Sequence, residues 1–208
     1  MENFRTLAAA IINQSREVSN LRSLAQRLLA SVIEVRAALP DGSEVFGTGV
    51  VLDNGLALTA LHNVADEATE GRLLPLRNLR AVVHGHGEVS AQLVAAAPNL
   101  DLAILRLEVA GIKGAPLALR APLPGEQLVA VGGSSEEIAV VGATVTESSK
   151  CGALLLASER KIDDRFFGAP IFDGEGRLCA MTLSSDDSAK AFAIVALRPL
   201  IDQAARLQ

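Results

Sequence analysis

The spacing of apolar side chains changes character once along this chain, near Ser31. Before that point Phe4, Leu7, Ile11, Gln14, Val18, Leu21, Ala25 and Leu28 recur at alternating intervals of three and four. That is the heptad spacing of a helix with a single seam, interrupted once by the polar Gln14. The opposite face carries Arg5, Arg16, Glu17, Asn20, Arg22 and Arg27, so residues 3–29 are expected to form one amphipathic helix. Such a helix either packs along the side of its own domain or meets a second helix. In the second case a lone polar seam residue commonly sets register, which makes residues 3–29 a candidate surface for self-association or for a partner.

After Ser31 the period becomes two. Val32-Ile33-Glu34-Val35-Arg36-Ala37 alternates as a half-buried strand does, and further strands are expected at 46–52, near 79–84, at 88–95 and at 102–107. Each is bounded by Gly, Pro, Asn or Asp. Residues 111–125 hold Pro116, Pro122 and Pro124 and read as a connection. A second batch follows at 126–132, 138–146, 152–158, 168–172, 177–184 and 190–195. Two similar batches of short strands on either side of a proline-rich crossing predict paired β-barrels or a large sandwich. Pro199 is expected to open a short terminal helix over 200–207, with Leu200, Ile201 and Ala204 on one side.

Composition narrows the partners. Half of the 208 residues are hydrophobic, but only 3% are aromatic and there is no Trp or Tyr, so the core must be built from Val, Leu, Ile and Ala. The net charge of −5 and the lack of a strong basic cluster argue against nucleic acid as a partner. No apolar run reaches membrane-spanning length, so no transmembrane segment is expected. The opening MENFRTLAAAII has neither a basic leader region nor a long apolar one. On its face this points to the cytoplasm, with a periplasmic location left open. Two cysteines do not make a disulfide framework.

The stretch around which the chain is arranged covers residues 47–64, GTGVVLDNGLALTALHNV. Gly-Thr-Gly permits close backbone approach, and Val50, Val51 and Leu52 form an apolar run. Asp53-Asn54-Gly55 is a tight turn because Asn and Gly tolerate positive φ. A second run, Leu56 to Leu58, leads to Thr59, a candidate helix N-cap, and then to His62. This holds an imidazole still at a strand-to-helix corner. Further on, Asp101 begins the strand DLAILRLE, where an acid at the mouth of an apolar strand is costly unless it is paired.

His62 followed by Asp101 is the order found in chymotrypsin-type enzymes. With these residues the chain resembles the trypsin-like serine proteases, in particular their HtrA-type bacterial branch. The corner GTGVVLDNGLALTALHNV looks like the segment that presents the family's base, with Asn63 standing before Val64. DLAILRLE looks like the strand of the family's Asp. GAPIFDGEGRLCAMTL looks like its Gly-Gly-Pro strand, turn and following strand. The likeness runs over about residues 31–202. It implies a mainly β, chymotrypsin-like double six-stranded β-barrel with a long N-terminal helix and a short C-terminal helix. The units would be residues 1–30 (helix), 31–112 (first barrel) and 113–208 (second barrel with the terminal helix).

One departure governs the expected function. The family's Gly-Asn/Asp-Ser-Gly-Gly-Pro is replaced by Arg165-Phe166-Phe167-Gly168-Ala169-Pro170, which puts Phe167 at the nucleophile position. Phe has no oxygen, so no acyl-enzyme can form. Arg165 stands where the anion-hole loop has Gly, and Arg adopts that backbone conformation less readily. His62 and Asp101 would survive as triad remnants, with Asp101 fixing the imidazole tautomer. The expectation is a pseudoprotease that binds a peptide or protein or scaffolds an assembly, with Phe166, Phe167, Ser184 and Ser185 as candidate contact residues. The alternative is an active peptidase with a displaced nucleophile drawn from Ser134, Ser135, Ser158, Ser184, Ser185 or Ser188. His84-Gly85-His86 has the look of a hairpin turn, and two histidines without a third ligand are a weak metal signal. No metal and no cofactor are expected. Cys151 and Cys179 fall on predicted strands that are not neighbours in the family's order, which implies free buried thiols.

Overall fold

The computed structural model describes residues 28–68, 72–133, 137–158, 166–184 and 189–206. The alternating segment after Ser31 forms β1 (Val32–Ala38), paired antiparallel with β2 (Glu44–Val51) in a register running from Val32 opposite Val50 to Ala38 opposite Glu44. Ile33, Val35 and Ala37 point inward and are buried. With β3 (Leu56–Ala60), β6 (Arg77–Val83), β7 (Gly87–Ala97) and β8 (Leu102–Leu107), these strands close a barrel in the order β1-β2-β3-β8-β7-β6. Closure gives each of the six strands a neighbour on both sides while leaving strand ends to project beyond the pairing. Between β3 and β6 lies a hairpin that the sequence pattern did not predict, β4 (Ala65–Ala68) with β5 (Arg72–Pro75).

The second batch closes another six-stranded barrel: β9 (Gln127–Gly133), β10 (Ile138–Ser148), β11 (Ala153–Ser158), β12 (Pro170–Phe172), β13 (Leu178–Ser184) and β14 (Ala189–Ala193), in the order β10-β11-β14-β13-β12-β9. Its core supplements the aliphatic side chains with the buried rings of Phe166, Phe172 and Phe192. The architecture is thus mainly β, two closed barrels side by side.

The terminal helix begins earlier than predicted. α1 spans Ile194–Arg206 and takes Pro199 into its interior. Proline there removes one intrahelical hydrogen bond, which would ordinarily favour starting the helix at the proline. Burial of Ile194, Leu197, Ile201 and Ala204 offsets that loss, so the last residues assigned to a strand turn helical instead. The predicted helix at 3–29 lies outside the described residues except for Leu28 and Leu29, and Leu28 is buried in the larger core cluster. Among the described residues no helix is long and apolar enough to cross a membrane.

The two thiols are free, as expected, but only one is buried. Cys151 sits exposed in the turn between β10 and β11, and the Ser149 hydroxyl beside it holds its thiol below the ordinary range. The assignment of Cys151 to a buried strand is therefore corrected: Gly152, at φ 95°, belongs to the turn that reverses the chain there. Cys179 lies inside β13 and donates to the Ile171 carbonyl at 3.2 Å. Burial, with Asp173 adding to it, pushes this thiol from 9.0 up to about 12. A raised folded-state value means that stability falls as pH climbs from 9.0 through about 12, where the unfolded chain loses the proton first. The full loss is on the order of 4 kcal/mol. Urea denaturation at pH 8 and pH 11 should show about 2–3 kcal/mol of it, because pH 11 lies below the folded value, and Cys179→Ala should remove most of that, with no Tyr in the chain to mask the effect.

A candidate active-site corner at the seam between the barrels

The turn after β2 has the backbone that its sequence demands. Asn54 and Gly55 take φ of 64° and 69°, and β3 then carries the chain back across the barrel to Ala60. Only a single 3-10 turn follows, Leu61–Asn63, and it presents His62. The reading of Thr59 as a helix N-cap is corrected here. Thr59 is fully buried inside β3, and its hydroxyl donates to the Thr48 carbonyl at 2.8 Å. The apolar environment of β3 keeps Thr59 in the strand, and no α-helix follows for it to cap.

Asp101 comes to the same corner just ahead of β8, closing the 3-10 turn Pro98–Leu100, so the strand starts at Leu102 and not at the acid. It has left-handed backbone, φ 50° and ψ 43°, a conformation that Asp tolerates better than most residues. That geometry lets three of its acceptors serve the turn. Its carbonyl accepts from the Leu61 N–H at 2.9 Å, Oδ1 accepts from the His62 backbone N–H at 3.0 Å, and Oδ2 lies 2.5 Å from His62 Nδ1. The carboxylate thus requires a proton on Nδ1 and leaves Nε2 as the basic nitrogen of the neutral ring. Both side chains remain reachable from solvent, at 45% exposure for His62 and 37% for Asp101.

The third segment arrives from the other barrel. The Phe167 ring meets the His62 ring edge to face, with centroids 5.2 Å apart and planes at 89°. Phe166, its neighbour, turns the other way and is 1% exposed in the core, so its ring is withdrawn from any surface contact. Gly168 follows with φ 72° and packs against the first barrel so tightly that a Cβ would lie 2.4 Å from the Ala60 nitrogen and 2.8 Å from the Thr48 oxygen. On its far side the segment is tied to β13: the Thr182 hydroxyl donates to the Phe166 carbonyl and accepts from the Ala169 N–H at 2.9 Å.

Of the residues singled out from the sequence, His62, Asp101 and Phe167 are brought together. Ser184 ends β13, and Arg165 and Ser185 lie outside the described residues. His84 and His86 are exposed in the turn between β6 and β7. Among the described residues no group of three or more His, Cys, Asp or Glu side chains is placed to hold a metal ion. Sequence reasoning missed Asn63 and Thr182. Asn63 carried a visible signal, a second polar residue beside His62 between the apolar Leu61 and Val64. Thr182 carried none, since a Thr in a strand is ordinary.

The model of the trypsin-like peptidase domain family matches residues 47–181, from the glycine that opens the His62 corner to Met181 on β13. The chain belongs to this family. No curated protein matched it. Among solved structures, it is similar to a protease of M. tuberculosis in its active form, with a TM-score of 0.74 and 16% identity over 86% of this chain and 82% of that one. A structure of the same protease in an inactive form gives 0.68 and 14%, covering 87% and 92%. The serine endoprotease of Yersinia pestis gives 0.73 and 18%, covering 89% of this chain and 66% of that one. These likenesses establish the double barrel as a chymotrypsin-like fold.

Proposed function

We propose that this chain is a catalytically inactive member of its family, a pseudoprotease that works as a peptide- or protein-binding or scaffolding module. The observation that carries the reading is the Phe167 ring lying against His62 at the nucleophile position. A phenyl ring has no atom that can attack a carbonyl and no proton to give Nε2. Losing the nucleophile of such a triad costs on the order of a million-fold in turnover. Arg165 adds to this, because it replaces a residue with wide backbone freedom in the anion-hole loop.

In this reading the half-exposed His62 and Asp101, with Phe167, Ser184 and Ser185, form part of a recognition surface. An extended peptide would gain main-chain hydrogen bonds there by strand addition. Residues 3–29 supply a second contact, to another copy or to a partner. The reaction is tested with unfolded casein and a fluorophosphonate probe. Neither turnover nor labelling is expected. Turnover that disappears in His62→Ala would overturn the proposal in favour of an active serine peptidase with a displaced nucleophile, using His62 and Asp101. Phe167→Ser alone should remain a poor enzyme because Arg165 is still in place.

A further inference from the structure

Asn63 is 5% exposed, next to His62 in the 3-10 turn. A buried carboxamide is costly unless it is hydrogen-bonded. Its Nδ2 lies 3.3 Å from Thr59 Oγ1 and 3.4 Å from the Phe167 carbonyl oxygen, and an amide NH₂ has two hydrogens to share between two acceptors. The group is also confined. It lies flat on Gly47, where a Cβ would come within 2.0 Å of Nδ2 and 2.2 Å of Cγ. The glycine therefore makes the room that the carboxamide occupies.

The contact belongs to a relay across the seam. Thr59 Oγ1 accepts from Asn63 and donates to the Thr48 carbonyl at 2.8 Å. The Thr48 hydroxyl donates to the Gly133 carbonyl at 3.2 Å and accepts from the Gly133 N–H at 3.1 Å. One end of the relay is Phe167 and the other is β9, both in the second barrel, with three first-barrel side chains between them. The two bonds that meet at Thr59 Oγ1, one accepted and one donated, reinforce each other. Phe167 is consequently held twice by neighbouring residues of one turn, through its ring by His62 and through its carbonyl by Asn63.

We propose that Asn63 is a positioning residue: its carboxamide latches the Phe167 carbonyl to the 61–63 turn, keeps the Phe167 ring in its T-shaped contact with His62, and so sets how freely a reagent or partner reaches Nε2. The latch acts on Phe167 and through it on the imidazole. It does not depend on what the surface binds, so it stands or falls separately from the pseudoprotease reading.

The test uses the full chain and diethyl pyrocarbonate, which carbethoxylates unprotonated imidazole, with peptide mass spectrometry as the readout. The exposed His84 and His86 serve as internal references. Asn63→Leu keeps much of the shape and removes the donor; Asn63→Asp serves the same purpose if Leu is not tolerated. Either should speed modification of His62 about fivefold relative to His84 and His86, the release expected from one neutral hydrogen bond. Phe167→Ala should produce a similar or larger gain, and the double variant should react no faster than Phe167→Ala alone. In the unaltered protein, the Asn63 side-chain NH₂ should exchange slowly with solvent by NMR. Unchanged His62 reactivity in a folded Asn63 variant, gains that multiply in the double variant, or fast exchange of that NH₂ would each overturn the latch.

Discussion

Gly168→Ala should cost about 4 kcal/mol or more and shift the unfolding transition to much lower denaturant. Two penalties combine. At φ 72° the new methyl group forces left-handed backbone on a residue that resists it. The methyl would also lie 2.4 Å from the Ala60 nitrogen and 2.8 Å from the Thr48 oxygen, which are backbone atoms of β3 and β2 and cannot move aside as a flexible side chain can. Relief requires the barrels to separate at the point where the relay joins them. Total stabilities of single domains are about 5–15 kcal/mol, so one methyl group removes a large part of the margin. Urea titration followed by circular dichroism measures it. A change within about 0.5 kcal/mol, typical of surface substitutions, would mean that the contact is not made in solution.

The second large effect separates two adjacent phenylalanines. Phe166→Ala should cost about 3–5 kcal/mol, the range for a fully buried ring. Phe166 is 1% exposed among the buried side chains of the second barrel. Phe167→Ala should cost no more than about 2 kcal/mol, because that ring is only half-buried and rests mainly on His62. Paired denaturation curves of the two variants check this. Equal costs would show that Phe167 is as much a core residue as its neighbour. The same pair of variants divides function from folding, since only Phe167 touches the imidazole.

The sequence carried this division poorly. Phe166 and Phe167 are chemically identical and adjacent, and assigning both to one surface overlooked the sharp turn imposed at Gly168. By contrast, the two batches of strands were legible because each is a short apolar or alternating run bounded by turn residues, whether alternating in burial as β10 is or almost wholly buried as β3 and β8 are. The His62–Asp101 pair was legible because an acid at the mouth of an apolar strand needs a partner. Pro199 misled, since local backbone preference pointed to a helix start while tertiary burial of Ile194 and Leu197 decided otherwise. Thr59 misled for a similar reason: a good capping residue followed by a histidine looks like a helix entry unless the strand before it continues to Ala60. The β4–β5 hairpin was missed because its four-residue strands are too short to show a period.

Asp101 joins the start of β8 to the turn after β3 through one carbonyl and two carboxylate contacts, only one of which reaches the imidazole. Its carbonyl bond to Leu61 and its Oδ1 bond to the His62 backbone would persist with any side chain at position 62. The acid is therefore a rivet of the first barrel as well as a partner of the histidine. Under the proposed reading, Phe167 in place of a nucleophile leaves the rivet under the same structural demand. The dyad can thus outlast the reaction it would have served, so a well-formed His–Asp pair in this fold reports on how the barrel is fastened, and its presence alone is no measure of enzymatic competence.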